Sequence, residues 1–135
     1  MIVKWSTDYQ VNHPEIDKEH QSLFKILNDF YEGIQQEYSK EKLADLIKGL
    51  LEYAQIHFTH EEAYMQSVGF PELEYHKKEH EAFIKKAGDF YKKYTSGRLI
   101  LSLEVTNFIK EWITHHIKNE DKKYAIFARK KQPKI

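Results

Sequence analysis

The stretch WITHHIKNED, Trp112 to Asp121, sets two adjacent histidines behind a tryptophan and ahead of an acidic pair. Similar residue types recur upstream. His57 and Glu61 stand four apart in HFTHEE, His76 and His80 stand four apart in HKKEH, and His20 closes IDKEH. Four residues is about one helical turn, so both members of each pair face the same point. The chemistry this pattern suggests is metal binding. With 8 histidines and no cysteine, a transition-metal site here has to be built from imidazole and carboxylate.

The elements that position these residues follow from apolar spacing. Four segments alternate three- and four-residue steps. They run Ile16, His20, Leu23, Leu27, Phe30, Ile34; Leu43, Ile47, Leu50, Ala54, His57, Glu61, Met65; Leu73, His76, His80, Phe83, Ala87, Phe90, Tyr94; and Val105, Ile109, Trp112, His116. Each stripe carries at least one histidine at a position that should face inward. A lone core histidine is more often a satisfied structural group than a ligand. Five, with a buried glutamate, on the inner faces of four helices would converge on one place, because buried imidazoles and carboxylates need a charge, a hydrogen bond or a metal.

The pattern predicts an all-α fold: an antiparallel up-down-up-down four-helix bundle in one domain over 1–135. An extended arm covers 1–16, helices cover about 17–38, 41–67, 71–94 and 99–119, and a short helix covers about 121–128. Ser39 is placed to cap the second helix. Gly69 can end it, Pro71 can start the third, and Gly97 marks the next turn. In the last helix His116 lies on the apolar stripe four residues after Trp112, and His115 is turned about 100° toward the flank. The acidic partner of His116 stays open at this level. Helix geometry favours Glu120, and Asp121 points elsewhere unless the helix ends or bulges there.

Taken together, IDKEH, HFTHEE, HKKEH and WITHHIKNED resemble the hemerythrins, in particular the single-domain bacterial type. The resemblance runs from about Trp5 to Tyr124 and includes seven ligand positions in order. It implies two non-haem irons. His76, His80 and His116 would hold one, His20 and His57 the other. Glu61 and Asp121 would bridge them with an oxo or hydroxo group from solvent. The family spacing thus selects Asp121 over Glu120. The resemblance also implies a ligand pocket of Phe58, Trp112 and Ile113, with Leu23 as a further wall, and it matches Tyr124.

On that ligand set the expected function is reversible dioxygen binding for transport, storage or sensing. Five neutral imidazoles and two carboxylates carry less negative charge than a carboxylate-rich oxidase site, so ferrous iron stays accessible. The two-histidine iron counts five ligands and keeps one open position. The expectation is therefore a binding protein and not an enzyme. The alternative is a di-iron redox enzyme acting on oxygen, peroxide or nitric oxide at the same site, and a third reading is a structural protein whose metal is a staple.

Composition narrows the remaining classes. Lys plus Arg and Asp plus Glu are both 21, so no global field draws the chain to nucleic acid or to an acidic membrane. Neither a signal peptide nor a membrane span is read, which predicts a cytoplasmic protein. The ARKKQPK stretch reads as a solvated tail. Dioxygen is the expected partner, an oxygen-consuming enzyme is compatible with the chemistry, and the oligomeric state is not fixed by sequence. His13 is expected on the surface and away from the metal; His60 and His115 lie near the site but off the inner stripe, where a surface salt bridge is favoured over a supporting role behind the ligands.

Overall fold

Pro14 opens the first helix. Its ring fixes a helical φ where no N–H is needed, and His13 accepts a hydrogen bond from the Ile16 N–H through Nδ1 at 3.2 Å. Helix α1 runs Pro14–Gln35, α2 Lys40–Val68, α3 Leu73–Thr95 and α4 Leu103–His115. A π-helical turn, His116–Asp121, carries α4 into α5, Lys122–Lys131. The computed structural model describes residues 2–97 and 103–131. The predicted helix start at 99–102, the Val105 side chain on the fourth stripe and the end of the predicted tail lie outside the described residues.

Helix α1 packs on α2 and α4, α2 on α3, and α3 on α4. This is the neighbour pattern of an up-down-up-down bundle with short connections. Ser39 caps α2 by accepting from the Lys42 N–H, and Gly69 ends it in the left-handed region at φ 71°. Helix α3 starts at Leu73 and not at Pro71, because the chain turns once more through residues 70–72 before the helix begins. The arm is extended apart from one 3-10 turn, Thr7–Tyr9. Asn28 fastens it to α1: its side-chain oxygen accepts from the Ile2 and Val3 N–H groups, and its amide donates to the Val3 carbonyl.

Two apolar layers enclose the middle of the bundle. On one side lie Leu23, Leu27, Ala54, Phe58, Phe83, Ile109 and Ile113. On the other lie Val11, Ile16, Met65, Phe70, Tyr124 and Ala125. The inward histidines fall between them along each stripe: His20 between Ile16 and Leu23, and His57 and Glu61 between Ala54 and Met65. No described helix is long and apolar enough to cross a membrane.

Candidate metal centre

Among the described residues eight polar ones are buried, and seven of them are His20, His57, Glu61, His76, His80, His116 and Asp121, each at most 3% exposed. Their ligand atoms form two groups, each within 4.8 Å of one another. One group is Glu61, His76, His80, His116 and Asp121. The other is His20, His57, Glu61 and Asp121. The two carboxylates are common to both.

The detailed contacts suit metal better than hydrogen bonding. The Nε2 atom of His116 lies 3.1 Å from Nε2 of His80 and 3.0 Å from Nε2 of His76. Two neutral imidazoles can share one proton at such a distance, but the single Nε2 of His116 carries either one proton or one lone pair and cannot satisfy both neighbours. With metal–nitrogen bonds of about 2.1 Å, cis ligands of an octahedral ion lie about 3 Å apart. Asp121 Oδ1 is 2.9 Å from His76 Nε2 and 3.1 Å from His116 Nε2, whereas Oδ2 is 3.1 Å from His20 Nε2. One carboxylate therefore turns an oxygen toward each group. Glu61 does this less cleanly: Oε2 is 3.3 Å from His20, while Oε1 is 3.2 Å from His57 and 3.4 Å from His80. Glu61 Oε1 and both Asp121 oxygens are buried without a hydrogen-bond partner. Buried, orphaned anionic oxygens aimed into one space are what a cation would satisfy.

The electrostatics agree. Burial alone would lower the His57 pKa, but the adjacent Glu61 carboxylate and the bond to Glu19 outweigh it and raise it to about 10. His116 is likewise lowered by burial and raised, net, to about 10 by Asp121 and Glu79. Glu61 is held well below the usual carboxylate range: His57 and the other imidazoles overcome burial. Asp121 is also depressed, His116 and His20 overcoming both burial and the nearby Glu61. Protons on His57 and His116 thus stand where a cation would otherwise balance the two carboxylates.

Asp121 reaches this cluster through the π turn. In an α-helix it would stand about 140° round from His116. The wider i→i+5 turn over His116–Asp121 brings it back onto the same face. Glu120 instead pairs with Lys123 at 3.2 Å. The adjacent His115 is exposed, with Nδ1 3.1 Å from the Asn119 side chain.

This sequence and structure match a known family. The Hemerythrin HHE cation binding domain matches residues 12–127. The chain belongs to the hemerythrins. A bacteriohemerythrin of Clostridium acetobutylicum is 37% identical over 126 residues, covering 89% of this chain and 96% of that protein. A myohemerythrin of Theromyzon tessulatum is 32% identical over 121 residues, covering 90% and 89%. In fold, the chain superposes on a wild-type hemerythrin crystal structure with a TM-score of 0.88 at 24% identity, covering 95% of this chain and 98% of that one.

Within this hemerythrin fold, Leu23, Phe58, Trp112 and Ile113 come together around one small cavity of about 10 Å³. His20, His57, His116 and Asp121 also line it, whereas His76 and His80 do not. Phe58 stacks on His80 with ring centroids 3.8 Å apart, and Trp112 stacks on His116 at 4.5 Å.

Three carboxylates escaped the reading of the sequence. Glu19 Oε1 accepts from His57 Nδ1 at 2.7 Å, Glu62 Oε2 from His80 Nδ1 at 2.8 Å, and Glu79 Oε2 from His116 Nδ1 at 3.2 Å. Each fixes a ring with Nε2 facing the centre. Each stands beside an inward residue in the chain, next to His20, Glu61 and His80 respectively, and so faces the neighbouring helix. That adjacency was the available signal. Tyr124 also gains a role, since its hydroxyl donates to Glu61 Oε2 at 2.6 Å. His13 departs from the expected exposure: it is half-buried, caps α1 and packs edge-on against Tyr64 at 4.6 Å.

Proposed function

We propose that this chain binds dioxygen reversibly at a non-haem di-iron centre. In this reading His76, His80 and His116 hold one iron and His20 and His57 the other. Glu61 and Asp121, common to both groups, would contribute to both irons, with an oxo or hydroxo group from solvent. When bound, the iron pair supplies the electrons that dioxygen takes up and gives back.

The protein's part is to position and to exclude. Glu19, Glu62 and Glu79 hold three imidazoles with Nε2 inward. Tyr124 steadies one oxygen of Glu61. Leu23, Phe58, Trp112 and Ile113 surround the approach with apolar surface, which disfavours water and stray protons. The observation that carries the reading is the location of the small cavity. It touches both histidines of the two-histidine group but only His116 of the other three. A volume of about 10 Å³ leaves room for roughly one water-sized probe, so the space suits a very small ligand.

Transport, storage and sensing of oxygen all use such a site. A reducing, cytoplasmic location fits it because the irons must return to the ferrous state, and an oxygen-consuming enzyme is a fitting recipient. The deciding experiment is optical. The protein is loaded with ferrous iron without air, exposed to oxygen and then deoxygenated, with a visible spectrum at each stage. A charge-transfer band that comes and goes supports reversible binding. A permanent ferric spectrum replaces this reading with a redox enzyme acting on oxygen, peroxide or nitric oxide.

A further inference from the structure

Glu19 is held at both ends. Its Oε1 accepts from His57 Nδ1 at 2.7 Å, and its Oε2 accepts from His60 Nδ1 at 2.6 Å. His60 lies on the outer face of α2, with its side chain 56% exposed, while Glu19 is 20% exposed and His57 only 1%. A chain of contacts therefore runs from the surface, through one carboxylate, to a buried imidazole of the two-histidine group.

We propose that His60 is a positioning residue for the two-histidine half of the metal centre, acting through Glu19 on His57. The inference rests on the di-metal reading above and adds a residue to it. The last torsion of a glutamate side chain, about Cγ–Cδ, is broad and weakly held. One hydrogen bond at Oε1 leaves the carboxylate plane free to swing. A second, from His60 at Oε2, fixes that plane, and with it the ring of His57. His60 also takes up part of the negative charge that Glu19 otherwise directs at His57, so it sets the donor strength of that imidazole as well as its orientation. The effect is confined to one half, because His57 belongs to the group of His20, Glu61 and Asp121 and not to that of His76, His80 and His116. The other half has its own orienting carboxylate: Glu79 holds His116 through Nδ1 at 3.2 Å.

Zinc(II) is the probe for the test, since it avoids oxidation. Full-length wild type, His60→Ala, His60→Asn and Glu79→Ala are loaded with zinc, and ion release to excess chelator is followed. Carboxylates that orient metal-bound histidines are worth roughly 10–100-fold in affinity, and a residue one step further out, partly replaceable by water, is worth about 3–10-fold. His60→Ala should speed release of one ion by that smaller factor and leave the other unchanged. His60→Asn, whose amide reaches the position of Nδ1, should restore the slow rate. Glu79→Ala should speed the opposite ion. Unchanged release of both ions in His60→Ala overturns the proposal. So does equal acceleration of both, or failure of asparagine to restore the rate. A wild type that takes up only one zinc overturns the di-metal reading itself and this inference with it, a result separable from the other failures by stoichiometry.

Discussion

At the scale of single residues, the two histidines of WITHHIKNED differ by burial and by direction. His116→Ala should cost the chain one tightly held iron, whereas His115→Ala should keep both, because His115 is exposed and bonded to Asn119. Iron counts per chain separate the two variants. Protonation gives a second prediction. Without metal, His57 and His116 titrate near 10, above the ordinary 6.5. A raised pKa stabilises the fold fully below pH 6.5, and that contribution is lost as pH climbs through about 10. The depressed carboxylates act oppositely: Glu61 and Asp121 contribute above their ordinary values of 4.5 and 3.8 and fail as pH falls. The melting temperature of chelated protein should therefore decline between pH 6.5 and about 10, while metal affinity rises over the same interval because ions displace those protons. Thermal melts and calorimetric titration across that range measure both.

At the scale of elements, the π turn explains what could not be read from periodicity. Five histidines and Glu61 are legible because they repeat at helical steps on apolar stripes. Asp121 is not, since one inserted residue per turn breaks the period that carries the information. The start of α1 was hidden for another reason: Pro14 looks like a breaker until His13 is seen to cap the helix. Gly33, Gly49 and Gly88 all fall inside helices, and the structure divides them. A Cβ at Gly33 would meet the Tyr38 ring at 2.7 Å, so close packing accounts for that glycine. Added at Gly49 or Gly88, a Cβ meets nothing within 4 Å. Alanine at either site should stabilise the protein by about 0.5–1 kcal/mol, seen as a higher urea midpoint with an unchanged slope, and Gly33→Ala should destabilise it.

Across the whole molecule, the bundle stacks a polar slice between two apolar layers. Seven buried imidazoles and carboxylates and three orienting carboxylates make that slice costly to leave without cations. Stripping the metal should lower the melting temperature by about 10–20 °C, given about 4 kcal/mol of linkage at a thousandfold excess over Kd and the size of the domain. A scan with and without chelator checks this. The architecture was legible nearly throughout, because a four-helix bundle needs only periodicity and short turns. The orienting carboxylates were not, because a glutamate flanking a core stripe resembles any surface glutamate until the neighbouring helix is in place.

The sharing of Asp121 by both ligand groups also has a consequence for synthesis. Asp121 is the last of the ligands to leave the ribosome, and α1, α2 and α3 precede it. Neither group of residues is complete until α1 to α4 and the π turn have all been made. A metal ion that needs every residue of either group is therefore expected to bind only after all four helices have been made, and not in step with their synthesis.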